Sequence, residues 1–167
     1  MKRRLIHRGL AAAIAGTFCA GVVAIAAEPT GATTAAGVIP SSSRLADDVP
    51  IANVHVLLVD TADERLGVVV AYRGRKGWLS VQPMPAPPAT QAAWTTTAGH
   101  GPVPALSMTY GQTSAARVRV QWWDGEVSDI TPQTDGSWLA VRSGAAGVER
   151  VDLVDAAGKV VGSVSAL

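Results

Sequence analysis

The chain has 167 residues, with 14 Lys and Arg against 13 Asp and Glu, a single Cys, a single Phe and five Trp. A near-neutral balance without a long basic run excludes a surface built to track nucleic acid. One cysteine excludes a disulfide within the chain, and the length is enough for one domain with its own core.

At the amino end, Lys2, Arg3, Arg4 and Arg8 precede an uncharged stretch over residues 10–27, which closes on the small-residue site Ala24, Ile25, Ala26. This pattern predicts an export signal, formed as a helix, over residues 1–27. A retained membrane anchor is the alternative, since a span needs roughly 17 to 25 apolar residues. Eight of these residues are Ala and two are Gly, which makes the stretch weakly apolar. Cys19 follows Phe18 where a lipoprotein peptidase needs a small residue, so it reads as part of the apolar stretch. The expected location is secreted or extracytoplasmic; in the alternative, residues 10–27 anchor the chain in the cytoplasmic membrane. Loss of the signal removes the Cys, the Phe and four basic charges, leaving ten Lys and Arg against thirteen Asp and Glu, a net charge near −3. The basic cluster that remains is Arg73, Arg75 and Lys76, around a glycine-rich turn.

Residues 28–52 are rich in Ala, Thr, Ser and Gly, contain Pro29 and Pro40, and show no sustained apolar period. They read as a flexible linker. From Asn53 onward the pattern is one of short apolar runs between turn residues, which marks residues 53–167 as a β-domain. Residues 54–59 are apolar on both faces and suit a central strand. Residues 66–72 follow across Asp60, Thr61, Ala62 and Asp63 as a hairpin, and residues 78–82 complete a meander. Pro83, Pro85, Pro87 and Pro88 lack ladder donors, so residues 83–104 read as a proline-rich connection that leaves the sheet.

The strand pattern resumes at residues 106–110 and alternates strictly over 117–122, with Val118, Val120 and Trp122 on one face. Asp124 with Gly125, Asp135 with Gly136, and the run Asp155, Ala156, Ala157, Gly158 are turn signals. They separate strands over 126–131, 138–142, 148–154 and 160–164. About eight strands and no helix after the signal predict an all-β fold, either an antiparallel β-sandwich of immunoglobulin-like type or a small open barrel. Leu58, Val59 and Asp60 are echoed by Leu153, Val154 and Asp155. The associated Trp strand follows the first hairpin and precedes the second, which argues against tandem duplication.

Over residues 118–162, the alternating strand leads into Trp123, Asp124, Gly125, then Asp135, Gly136, Ser137, Trp138, then Asp152, Leu153, Val154, Asp155. This run resembles the carboxy-terminal β-domain of uncharacterised exported or membrane-anchored actinobacterial proteins. The resemblance implies a β-fold and an extracytoplasmic location, and brings no catalytic residues with it.

Beyond the signal there are two histidines. His55 lies mid-strand among apolar residues and reads as structural, whereas His100 lies in a loop, where functional residues concentrate. No nucleophile elbow or His-x-x-x-His pair accompanies His100. Asp47 with Asp48, Asp60 with Asp63 and Glu64, and Asp124 with Glu126 and Asp129 could each supply oxygen donors to calcium, but none has calcium-loop spacing, and turn formation accounts for Asp60 and Asp124. No cofactor is expected. Trp122 and Trp123, adjacent on a strand, must point to opposite faces. With Trp122 in the core, Trp123 faces outward beside Arg119 and Gln121, either covered by the proline-rich segment and Trp94 or open to stack on a sugar ring or a partner's apolar patch. The expected function is a non-catalytic interaction module that binds an envelope protein or cell-wall glycan through Trp123, Arg119, Gln121, Trp94 and His100. The alternatives are an extracytoplasmic hydrolase or metal-dependent enzyme around His100, and a passive spacer.

Overall fold

The computed structural model describes residues 34–61, 66–75, 77–81 and 92–165. The expected signal and the proline cluster at 83–88 lie outside the described residues. Among the described residues a 3-10 turn, Ala35–Val38, precedes eleven strands: β1 (Arg44–Ile51), β2 (Val54–Asp60), β3 (Leu66–Gly74), β4 (Gly77–Val81), β5 (Ala93–His100), β6 (Val103–Gln112), β7 (Arg117–Trp122), β8 (Val127–Ile130), β9 (Ser137–Ser143), β10 (Val148–Val154) and β11 (Val160–Ser165). Every pairing is antiparallel. The strands form three sheets, ordered β1-β2-β3-β4 (sheet 1), β5-β6-β9 (sheet 2) and β11-β10-β7-β8 (sheet 3), and none closes into a barrel. Among the described residues no helix is long and apolar enough to cross a membrane.

Alternation within each strand explains how the sheets stack. Val54, Val56 and Leu58 on β2, with Val68 and Val70 on β3, pack against Leu106, Met108, Tyr110 and Leu139 of sheet 2. The opposite face of sheet 2 carries Trp138 and Ala140, which pack with Val118, Val120, Trp122, Val151 and Leu153 of sheet 3. Sheet 2 is therefore the middle layer, and its strand β9 is apolar on both faces for that reason. The outer face of sheet 1 is also covered: Leu57, Val59, Val69 and Ala71 lie under Ala35 and Val38 of the 3-10 turn.

The meander expected from residues 54–82 is present, with Val54 opposite Tyr72 and Tyr72 opposite Leu79. The two strands additional to the sequence reading fall where it places a linker and a connection. Residues 44–51, within the expected linker, form β1, which pairs with β2 from Ile51 opposite Val54 to Arg44 opposite Asp60. β1 is an edge strand with no fully buried residue, so it needs no apolar period and its Pro50 is tolerated. The connection read over 83–104 ends early, because β5 pairs along β6 from Ala93 opposite Tyr110 to His100 opposite Val103. Thr95, Thr96 and Thr97 supply β-branched residues to that edge strand.

Asp135 and Gly136 have hairpin chemistry but join β8 in sheet 3 to β9 in sheet 2, so this turn carries the chain between layers rather than folding a strand back. The other two turns are hairpins as expected. In the β10–β11 turn, Asp155 Oδ1 accepts from the backbone N–H groups of Ala157 and Lys159, both at 2.9 Å.

Candidate binding face on sheet 3

β7 presents Val118, Val120 and Trp122 to the core, which leaves Arg119 and Gln121 on the outer face of sheet 3. The ladder sets their neighbours. Gln121 lies opposite Val127 on β8 and Arg150 on β10, and Arg119 lies opposite Asp129 and Asp152. Arg119 Nε donates to Asp129 Oδ1 at 3.0 Å. Asp152 is buried beneath Arg150 at 3.0 Å and the Ser163 hydroxyl at 2.6 Å.

Trp123 follows directly from β7, in the turn to β8, and is 61% exposed. It is open, not covered. Its indole is nevertheless seated: a Cβ on Gly147 would stand 2.9 Å from Trp123 Cε3, so the six-membered ring lies against the glycine more closely than any side chain there would permit. Gly147 has φ +67°, a left-handed conformation that favours glycine independently of the space. The loop bearing it is fixed from the middle layer by Ser107, a fully buried serine on β6. The Ser107 hydroxyl donates to Gly144 O at 2.9 Å and accepts from the Gly147 N–H at 3.3 Å, while the Gly144 N–H donates to Ala105 O at 2.8 Å.

The turn bearing Trp123 is held by charge as well. Arg142 on β9, with only 19% of its side chain exposed, reaches Asp124 Oδ1 at 2.6 Å and Glu126 Oε2 at 2.9 Å. Its guanidinium lies 5.7 Å from the centre of the Trp122 ring, within cation–π range. Trp122 Nε1–H in turn donates to Ser128 Oγ at 2.9 Å on β8. Of the carboxylates considered as calcium donors, Asp124 and Glu126 are thus engaged by Arg142, Asp129 by Arg119 and Asp60 by Arg44, while Asp63 and Glu64 lie outside the described residues. Among the described residues no group of three His, Cys, Asp or Glu side chains is placed to hold a metal.

The hydrogen bond from Arg142 holds the Asp124 carboxyl below its usual 3.8. Asp135 is lowered likewise, first by the Ser137 hydroxyl and backbone N–H and then by Arg44. Both groups have lower values folded than unfolded. Their contribution is therefore complete above 3.8 and is lost as pH falls through the folded values. The melting temperature should fall with acidification below that point. In Arg142→Gln the acid slope should be shallower, as followed by melting at a series of pH values; an identical slope in both proteins would refute the assignment.

Of the five residues singled out from the sequence, the structure brings Trp123, Gln121 and Arg119 onto one face. Trp94 and His100 lie on β5, in a different sheet, where they pair with Thr109 and Val103. His55 is half-buried on the outer face of sheet 1, with Nδ1 2.8 Å from Asp48 Oδ1 and its ring edge-on to Trp78 at 5.2 Å between centroids. Asp48 entered the sequence reading only as an oxygen donor beside Asp47, and its pairing with His55 was missed because it lies in the segment read as linker. Sequence reasoning missed Gly147, Ser107 and Arg142 because nothing local marks a residue that supports a turn on another strand. Val127, 54% exposed opposite Gln121, was legible only as a strand position.

The chain matches no protein-family model, and no curated protein or solved structure matches it.

Proposed function

We propose that the chain is an exported, non-catalytic domain of the β-sandwich type, which binds an envelope protein or cell-wall glycan through the outer face of sheet 3. The observation that carries this reading is Trp123, a tryptophan left 61% exposed on a turn fixed by Arg142 and by the loop at Gly147. A large aromatic held in one position offers contact area with little loss of side-chain freedom on binding. Export is supported by the basic and then apolar pattern of residues 1–27. The resemblance of residues 118–162 to exported actinobacterial domains agrees with it. In the anchored alternative, residues 10–27 hold the same face near the outer surface of the membrane.

Full-length chain should co-sediment with isolated actinobacterial envelope material, and Trp123→Ala should weaken that binding about tenfold. Tenfold corresponds to about 1.4 kcal/mol, just under the roughly 1.5–3 kcal/mol available from fully burying one large apolar side chain. Because Trp123 is exposed, the variant should melt close to the wild type. Unchanged sedimentation of the Trp123→Ala protein would sink the proposal.

A further inference from the structure

The geometry around Trp123 points to the ligand class: a neutral pyranose polymer, one ring of which stacks on the indole while the Gln121 amide meets its hydroxyls. This rests on the binding reading above and narrows it.

Three observations carry it. The first is size. The apolar side chains exposed around this corner are Trp123 and Val127, whereas a stable protein interface needs about 800 Å² from each partner. An indole and one valine fall well short of that area but suit a single sugar ring. Beside them the face carries two ion pairs, Arg119 with Asp129 and Arg150 with Asp152, which a protein partner would have to desolvate.

The second is charge. Each arginine at this corner is already engaged, Arg142 by Asp124 and Glu126, Arg119 by Asp129 and Arg150 by Asp152. Among the described residues the unpaired cation of this face is Arg117, at the opposite end of β7 and about 20 Å along the strand from Trp123, too far to serve a phosphate or carboxylate at this corner. Glu149, in the bulge of β10 between Val148 and Arg150, is exposed and without a partner among the described residues, and it adds negative charge that opposes anionic polymers.

The third is Gln121. It lies on the same face two residues before Trp123, about 7 Å along the strand, and its amide has no hydrogen-bond partner among the described residues. It carries both a donor and an acceptor, as the hydroxyls of a neutral sugar require.

The test uses full-length chain, chitin as the insoluble neutral polymer and a soluble chitooligosaccharide as competitor. Binding to chitin should persist from low to high salt, since no ion pair forms on association. It should fall about tenfold in Trp123→Ala and less in Trp123→Phe. Gln121→Ala should weaken it several-fold. Gly147→Ala, which pushes the indole from its seat, should weaken it with Trp123 still present. Binding to envelope material that needs Trp123 yet is lost in salt, or is not displaced by the oligosaccharide, would overturn the neutral-glycan assignment and leave the interaction reading standing. Envelope binding indifferent to Trp123 would overturn both.

Discussion

Trp122→Ala should lower the free energy of unfolding by about 3–5 kcal/mol, a large share of the about 5–15 kcal/mol that a domain of this kind possesses. Trp122 is fully buried between sheets 2 and 3, together with Trp138. It also joins three strands, since its Nε1–H reaches Ser128 on β8 and Arg142 of β9 lies over its ring. Its neighbour in the core gives the sharper comparison. Trp138 is equally buried, but its Nε1–H has no acceptor among the described residues. Replacing Trp122 by Phe removes a hydrogen bond and leaves Ser128 unpaired. Replacing Trp138 by Phe removes a buried donor that is unsatisfied, a relief of about 1–3 kcal/mol that offsets the loss of ring volume. Urea unfolding should therefore rank Trp122→Phe as clearly more damaging than Trp138→Phe. Equal midpoints would show that the ring volumes alone decide stability in this layer.

The same pair of tryptophans shows what the sequence could tell. Alternation over residues 117–122 was enough to put Trp122 inward with Val118 and Val120, and to send Arg119, Gln121 and Trp123 outward together. Hairpin chemistry was enough for β2–β3 and β10–β11, where both strands and their turn are contiguous. The three-layer stack was not legible, because β8 and β9 are joined by an Asp-Gly turn like any hairpin and yet pair with β7 and β6. The choice of pairing partner is non-local and leaves no mark on the turn. β1 and β5 were hidden for a related reason: edge strands draw their hydrogen bonds from a neighbour and bury little, so their composition is that of a loop. At the site, the direction of Trp123 was legible but its seating was not, since Gly147 and Ser107 come from β9–β10 and β6.

The turn between layers can be tested at one atom. Gly136→Ala places a methyl carbon 2.4 Å from the carbonyl oxygen of Thr113, at a position where φ is +82°. That oxygen belongs to the backbone of the β6–β7 loop, whose Thr113 N–H is itself bonded to Gly136 O at 2.9 Å. No side-chain rotation can relieve the contact, so the two loops must separate and the bond between them is lost. Gly125→Ala is the control, because Gly125 has a similar φ of +85° and nothing within 4 Å of the added carbon. The control should lose only the backbone term of about 1–2 kcal/mol for an L-residue in the left-handed region. Gly136→Ala should lose that and the steric term as well, on the order of 3 kcal/mol or more in all. The crossing from sheet 3 to sheet 2 runs through this contact, so hydrogen exchange should report the excess as loosening of both β6 and β9, the strands that flank it in the middle layer. Equal losses in the two variants would mean that the loops separate without cost, and that the approach of Gly136 to Thr113 does not hold the layers in register.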